Sequence, residues 1–348
     1  MKIPQTMRQW VLARRPDGLA TVDDFRLEHA PVPSIGAGEV LLKTQYLGVA
    51  PVQLRFMTND TNFEKDLNLG EVMFGRGVAR VVQSNNSNWR VGDLVCARLR
   101  WREYAVIDDD PYYIALKMGH PDLKSSFGVG ALGNNGFTAL AGMRDIGRVV
   151  PGDRVLVSGA AGGVGSLCAF VAKALGAPQV VGIAGGEEKC GLLTESLGFD
   201  AAIDYKNDDI ERSLDQRFPD GIDVFFDNVG GELLDQVMAR IRRRARIVIC
   251  GRISEYLKDP ADYHRPRNLY RIGLMDAKME GFFVYDYRHQ YEAMEGVLAD
   301  WIRQGKLTPH EDVMDGLEQM PAALIGLYSG TNSGVRVVKV DPEADKNL

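Results

Sequence analysis

Hydrophobic residues follow two different spacings along this chain of 348 residues. From Trp10 to Val106, short apolar runs are separated by clusters of Pro, Gly, Asn and Asp, which is typical of an irregular β-rich region. After about Phe127, strand-like runs alternate with helical spacings, and this alternation predicts a parallel, doubly wound sheet. Its strands are expected near residues 153–158, 179–184, 201–205, 222–227, 245–251 and 279–285.

The end of the chain changes pattern again. The spacing predicts a helix around Met320–Tyr328 and a strand at Val335–Val340, and we expect both to return to the first region. The predicted fold class is therefore α/β. The expected domains are a β-rich catalytic domain at 1–127, a Rossmann dinucleotide-binding domain at 128–309 and a return segment at 310–348 that completes the first domain.

A glycine-rich turn follows the first predicted strand of the sheet. It reads GAAGGVG from Gly159 to Gly165 and leads into a helical stretch. Glycines at this junction let the backbone approach a pyrophosphate, which accepts hydrogen bonds from amides at the positive end of the helix. A tight turn without a ligand is the alternative. We predict a dinucleotide site formed by Ala161, Gly162, Gly163, Val164 and Gly165.

The end of the second predicted strand indicates which dinucleotide binds. An acidic residue that binds the ribose 2′-hydroxyl is expected about 20 residues after the glycines, but the chain has Ala184-Gly185-Gly186 there. Small residues leave room for a 2′-phosphate, and Lys189 follows within one helical turn. Glu187 and Glu188 add negative charge, although acidic residues at a helix start also suit the helix dipole. The pattern favours NADP(H) over NAD(H).

Composition and charge exclude several other classes of function. The net charge of −6 gives no support for binding to nucleic acid or to an anionic membrane. No run of 18 apolar residues occurs, and the N-terminus lacks the apolar centre of a signal peptide, so we expect a soluble, cytoplasmic protein. One basic run is interpreted as the solvated C-terminus of a helix: Arg240, Arg242, Arg243, Arg244 and Arg246.

Cysteine and histidine spacings predict no metal site. The four cysteines are far apart, no Cys-x-x-Cys pair occurs, and the five histidines are equally scattered. Two of the cysteines, Cys168 and Cys190, fall in helical patterns and are expected to be small core residues.

Four segments resemble the zinc-independent medium-chain dehydrogenase/reductases. Within that family the resemblance is to the group of prostaglandin reductases, leukotriene B4 dehydrogenase and bacterial curcumin reductase-like proteins. The segments are Ser158–Ser166, Glu188–Cys190, Phe226–Gly231 and Cys250–Tyr256. The resemblance implies a GroES-like first domain and NADPH-dependent reduction of an alkene conjugated to a carbonyl. A small unsaturated ketone or aldehyde would be the substrate, and a homodimer built through the dinucleotide-binding domains is expected.

The resemblance also implies roles for individual residues. Lys189 and Tyr205 would hold the 2′-phosphate, and Asn228 and Asn332 would help to hold the cofactor. Tyr256 would lie near the substrate carbonyl as a catalytic hydrogen-bond donor, or would only cap the cleft. The adenosine and ribose would be flanked by Cys250, Gly251, Ile253, Ser254 and Tyr256. The nicotinamide would be flanked by Phe282, Phe283 and Val284.

The expected chemistry transfers hydride to the β-carbon, and a hydrogen-bond donor stabilises the resulting enolate. Two alternatives remain open: an NADPH:quinone oxidoreductase with the same cofactor site, and an NADPH-binding protein without turnover. The chain departs from the group's pattern at Val52, where relatives commonly have tyrosine, and at Asn135, where they have proline. Both positions are expected to face the cleft, so the acceptor is expected to differ.

Overall fold

The computed structural model of the protein describes residues 3–58, 67–107 and 115–346. The strands of this part of the chain are β1 (Thr6–Leu12), β2 (Phe25–Pro31), β3 (Val40–Gly48), β4 (Arg76–Ser84), β5 (Leu94–Arg98), β6 (Tyr104–Val106), β7 (Leu116–Lys117), β8 (Arg154–Val157), β9 (Gln179–Ala184), β10 (Ala201–Asp204), β11 (Ile222–Asp227), β12 (Ile241–Ile249), β13 (Lys278–Gly281), β14 (Glu311–Asp315) and β15 (Val335–Lys339).

The helices complete this description. The α-helices are α1 (Val52–Thr58), α2 (Asn134–Ala141), α3 (Gly165–Ala174), α4 (Glu187–Glu195), α5 (Ile210–Arg217), α6 (Gly231–Met238), α7 (Tyr270–Leu274), α8 (Tyr291–Arg303) and α9 (Met320–Ser329). Short 3-10 helices include Ile253–Glu255 and Val284–Gln290. None of the helices in the described ranges is long and apolar enough to cross a membrane.

Six parallel strands form the second sheet, in the order β10-β9-β8-β11-β12-β13. This is the strand order of a Rossmann fold, so the predicted fold class is confirmed. The order reverses between β8 and β11, which pair in parallel from Val224↔Val155 to Phe226↔Val157. Ligands of such sheets bind at this reversal, beyond the carboxyl ends of the strands.

The first sheet has the order β14-β15-β3-β4-β5-β7, with β6 paired to β3, and β1 and β2 form a separate hairpin. Strand β15 pairs antiparallel with β3, with Val338 opposite Leu47. The C-terminal strand therefore lies in the sheet made by the first part of the chain. The predicted domain bounds at residues 127 and 309 stay a prediction.

Both faces of the parallel sheet are buried. Val155 and Phe226 face one apolar core, which includes residues of α3 and α8, whereas Leu156 and Phe225 face a second core that includes residues of α5 and α6. Neighbouring residues of a strand point to opposite faces, so strands buried on both faces are continuously apolar. This accounts for the unbroken hydrophobic runs at β8 and β11.

Two details of the sequence interpretation were wrong. The basic run does not end a helix, because α6 stops at Met238 and the arginines from Arg242 to Arg246 belong to β12. Arg242 pairs across the sheet with Asp223 on β11, 3.1 Å away, which stabilises charged residues in a strand. The last strand of the sheet ends at Gly281 rather than 285, because the chain turns into the 3-10 helix Val284–Gln290.

Candidate functional site

The loops after β8 and β11 are tied together at the strand-order reversal. Ser158 Oγ donates a 2.7 Å hydrogen bond to the buried carboxylate of Asp227 and accepts one of 2.8 Å from Asn228 N. The Asn228 side chain donates to Ser158 O at 2.7 Å. Asp227 also accepts from the amides of Val229 and Gly230. Burial raises the pKa of Asp227, although these hydrogen bonds oppose that shift.

The glycine-rich turn presents unsatisfied amides at the start of α3. Among the described residues, the N–H groups of Gly163 and Val164 have no hydrogen-bond acceptor. Gly165 packs closely, since a Cβ there would lie 2.2 Å from Gly159 O. Ala161 O accepts a hydrogen bond of 2.9 Å from Gly334 N, which joins the turn to the C-terminal segment. These features suit an anion at a helix N-terminus.

Lys189 lies in a group of three cations. Its half-buried ammonium has a lowered pKa, caused first by burial and then by the charges of Lys206 and Arg336. Arg336 itself donates to Asp312. The nearby Gly330 at the end of α9 leaves space, since a Cβ there would lie 3.9 Å from Lys189 Nζ. A dense cationic group that depresses its own lysine pKa is suited to a doubly charged phosphate.

Tyr205 forms one wall beside this group. Its ring packs on the backbone of Gly185, where a Cβ would approach Cε1 to 2.6 Å, so no larger residue fits there without a shift. The Tyr205 side chain is 56% exposed. The nearest strand-end carboxylate, Asp204, is occupied by hydrogen bonds from Gly186 N and Lys206 N. The Asp204 carboxylate therefore stabilises the loops after β9 and β10 through these two hydrogen bonds.

The segment from Cys250 to Tyr256 lies against the loop after β11. The amides of Cys250 and Gly251 donate to Asp227 O, and those of Ile253 and Ser254 donate to Asn228 O and Val229 O. Burial raises the pKa of the Cys250 thiol to about 12, so this thiol is neutral. The sequence-predicted residues of both segments thus lie together.

Tyr256 connects the parallel sheet to the first part of the chain. Its half-buried ring lies 5.7 Å from the guanidinium carbon of Arg55 on α1. Burial raises the pKa of the Tyr256 phenol, which therefore stays protonated at neutral pH. The pKa of Tyr328 on α9 is raised, first by burial and then by the nearby Tyr256 phenol. The Tyr328 hydroxyl donates a hydrogen bond of 2.5 Å to Pro51 O.

The other predicted residues follow β13 or belong to the C-terminal segment. Phe282 packs against Gly142 and meets the Tyr287 ring edge-on at 6.2 Å, whereas Phe283 is half exposed. Val284 begins the next 3-10 helix and is partly buried. Asn332 is buried and donates to Gly334 O at 3.3 Å. All of them lie near the carboxyl edge of the sheet or the glycine-rich turn.

The sequence interpretation missed several residues at this edge. Arg55 and Tyr328 come from other parts of the chain and meet Tyr256 only in the fold. Tyr285 falls at the end of a predicted strand and was given no role, and its hydroxyl accepts a hydrogen bond of 3.2 Å from Asn134. Asn135, which was expected from the sequence to face the cleft, lies with its amide beside Gly163, where a Cβ would be 2.7 Å away. No local pattern indicates the contacts of Arg55, Tyr328 and Tyr285, because their partners are distant in the sequence.

In the part of the chain that the structure describes, neither a metal site nor an enclosed cavity marks the candidate site. Within the described ranges no group of three His, Cys, Asp or Glu side chains is arranged to hold a metal ion. A polar cavity of about 590 Å³ lies beside α5 and α6, with Asp235 and His264 in its wall. It is not at the strand ends, so strand topology rather than cavity size defines the candidate site.

Comparisons with known proteins agree with this arrangement. A family model described as the N-terminal domain of oxidoreductase matches residues 8–114, and one described as zinc-binding dehydrogenase matches residues 163–300. The chain is 36% identical to the NADPH-dependent curcumin reductase of Escherichia coli (strain K12), over 97% of either chain. It is 39% identical to the NADP(+)-dependent 2-alkenal reductase of Nicotiana tabacum, over 88% of this chain and 89% of the relative. The crystal structure of CurA in complex with NADPH from Vibrio vulnificus superposes with a TM-score of 0.88 and 36% identity, covering 96% of this chain and 99% of that one.

Proposed function

Because the chain belongs to the zinc-independent medium-chain dehydrogenase/reductases, we propose that it uses NADPH to reduce the C=C bond of an α,β-unsaturated ketone or aldehyde. The observation that carries the proposal is the cleft at the strand-order reversal. There, the amides of Gly163 and Val164 have no acceptor among the described residues, and the Arg55 guanidinium lies over the Tyr256 ring. Relatives named for curcumin and 2-alkenal reduction, matched over nearly their whole length, support the reaction class.

The residues of the cleft fit NADPH. The amides of Gly163 and Val164 would bind the pyrophosphate at the positive end of α3. Lys189 and Tyr205 would hold the 2′-phosphate, with Lys206 adding positive charge. The remaining proposed contacts to the cofactor come from Ala161, Gly162, Gly165, Asn228, Cys250, Gly251, Ile253, Ser254, Tyr256, Phe282, Phe283, Val284 and Asn332.

The chemistry requires a hydrogen-bond donor at the substrate carbonyl. NADPH supplies a hydride to the β-carbon when it is bound. As the C=C electron pair moves toward the carbonyl, negative charge grows on its oxygen, and the protonated Tyr256 hydroxyl would donate a hydrogen bond to it. Arg55, whose cation faces the Tyr256 ring, would add favourable electrostatic potential. The α-carbon then takes a proton from solvent, which completes a saturated ketone or aldehyde.

A panel of acceptors tests the function. Loss of NADPH absorbance is measured with 2-alkenals, enones, a curcuminoid and simple quinones, each also with NADH, and products are identified by mass. Saturated carbonyl products formed with a preference for NADPH would support the proposal. Turnover of quinones alone would replace it with a quinone oxidoreductase, and tight NADPH binding with no turnover on any acceptor would favour a binding protein.

We also propose domain bounds, an oligomeric state and a cellular location for this protein. We assign the bounds 1–127, 128–309 and 310–348 to the two domains and the return segment, supported by the pairing of β15 with β3. A homodimer through the dinucleotide-binding domains and a cytoplasmic location are supported by family resemblance. No nucleic acid or membrane partner is proposed.

A further inference from the structure

Arg76 is an arginine of the cleft without a carboxylate partner. It begins β4, and in the described part of the chain it has no Asp or Glu within 4.0 Å and its enclosed Nε has no hydrogen-bond partner. Two other arginines with little exposure are paired: Arg336 with Asp312 and Arg246 with Asp153. Partial burial of a cation without an anionic partner is costly, so the position of Arg76 favours the binding of an anion.

The direction of the Arg76 side chain is fixed by its neighbours. A Cβ on Gly75 would lie 2.7 Å from the Trp101 ring, and one on Gly77 would lie 2.0 Å from Tyr46 O. These two positions therefore face packed groups, and adjacent residues of a strand point to opposite sides. Arg76 points the other way, with its guanidinium carbon 6.0 Å from the centre of the Tyr285 ring and its charge felt by the Cys96 thiol.

Tyr285 links Arg76 to the proposed cofactor site. It follows β13 by four residues, immediately after the segment Phe282–Val284 that we assign to the nicotinamide. Its hydroxyl accepts from Asn134, and the adjacent Asn135 lies against Gly163 in the glycine-rich turn. A row of side chains thus runs from Arg76 on β4 through Tyr285 and Asn134 to Asn135 beside the glycine-rich turn. A substrate bound between the two sheets would lie along this row of side chains.

We propose that Arg76 binds a carboxylate of the acceptor, so that the preferred substrates are enones or enals that carry a carboxylate group. A guanidinium matches a carboxylate with two parallel hydrogen bonds, which distinguishes it from an ester or a neutral chain. This inference rests on the proposed function, because it names the substrate class of the same site.

The test compares trans-β-acetylacrylic acid with its methyl ester. The ratio of kcat/KM for the acid to that for the ester is measured for the wild type, R76M, R76K and R80M. Arg80 lies on the same strand and its guanidinium donates to Gly92 O at 2.9 Å, so R80M is a matched control. We expect R76M to lower the ratio by about tenfold to hundredfold, R76K to lower it less, and R80M to leave it unchanged. A ratio that R76M does not change would overturn the inference.

A binding measurement separates the inference from the proposed function. Levulinate, the saturated keto acid, is titrated calorimetrically into the protein with NADP⁺ present. Binding to the wild type that R76M weakens at least tenfold would support the carboxylate site even for a chain without reductase turnover. Absent or equal binding would overturn it, whatever the acceptor panel shows. The melting temperature of R76M should change little, because the partly buried arginine has no carboxylate partner to lose and methionine keeps apolar contact with the Tyr285 ring.

Discussion

Ser158 and Asp227 share a hydrogen bond of 2.7 Å that joins the ends of β8 and β11, strands that are adjacent in the sheet although 69 residues separate the pair. Both loops carry residues of the proposed cofactor site. The bond therefore fixes the spacing between the glycine-rich turn and Asn228, whose amide and side chain also contact Ser158. A buried carboxylate with only donors around it cannot be exchanged for an amide without loss.

The variant D227N should destabilise the protein and weaken NADPH binding. Oδ1 accepts from Ser158 Oγ, Val229 N and Gly230 N, so the NH₂ group of an asparagine would replace Oδ2 and face the N–H of Gly230, a donor, at a cost of about 1–3 kcal/mol. Thermal melting and NADPH titration measure the two effects. D215N is the control, because Asp215 is an exposed partner of Arg240 and surface pairs contribute little. Equal melting temperatures for D227N and wild type would contradict the assignment.

Removal of the Lys189 ammonium should alter cofactor preference. In K189A the KM for NADPH is expected to rise by about tenfold to hundredfold, because one charge-assisted contact to the 2′-phosphate is lost, while the KM for NADH changes little. Steady-state kinetics with both cofactors measure this. K173A serves as control, since Lys173 pairs with Asp200 on the protein surface. Equal losses for NADPH and NADH would show that Lys189 does not bind the phosphate.

The Tyr256 hydroxyl should affect turnover more than cofactor binding. In Y256F the kcat for enones is expected to fall by about tenfold to a thousandfold if the phenol donates to the developing enolate, with the Kd for NADPH little changed. Y263F is the matched control: Tyr263 is on the same loop, and the Arg252 guanidinium covers its ring at 4.8 Å. A kcat close to wild type would leave Tyr256 a structural cap of the cleft.

Titration of Tyr256 should not lower kcat as the pH rises through the neutral range. Because burial raises its pKa above the ordinary value of 10.0, the donor keeps its proton across the neutral range. The pH dependence of kcat between about pH 6 and pH 9 tests this, with Y256F measured in parallel. A decline below pH 9 that Y256F abolishes would contradict a raised pKa.

Glu295 should make stability depend on pH. Burial raises the pKa of this carboxyl to about 7 from 4.5, with the hydrogen bond from Gly119 N opposing the shift. The folded state therefore holds a proton that the unfolded state has released, and stability falls as pH rises from about 4.5 to 7, by up to about 3 kcal/mol.

The variant E295Q removes this titration. Its melting temperature is expected to exceed that of the wild type at about pH 8 by several degrees and to differ little at about pH 5. E195Q, at the exposed end of α4, is the control, because Glu292 on the same helix contributes to the raised pKa of Glu295. If the difference in melting temperature between the wild type and E295Q is the same at both pH values, the pKa of Glu295 is not raised.

Local features of this protein could be predicted from the amino-acid sequence. The strand β8, the glycine-rich turn and the helix α3 follow one another in the chain. The spacing of their hydrophobic residues and the glycines of the turn therefore indicate them without any long-range contact. The lack of an acid at Ala184–Gly186 is equally local. One local prediction was wrong. The basic run that includes Arg242 was interpreted as the end of a helix, but Arg242 lies in β12 and pairs with Asp223 on the neighbouring strand.

Contacts between residues distant in the sequence depend on how the two sheets pack together. Arg55 faces Tyr256, and Tyr328 lies beside both, because β15 pairs with β3 and brings the C-terminal part of the chain back to the first sheet. Arg76 meets Tyr285 across more than 200 residues for the same physical reason. Side-chain spacing encodes the faces of each element, whereas the packing of two sheets against each other sets the contacts between them.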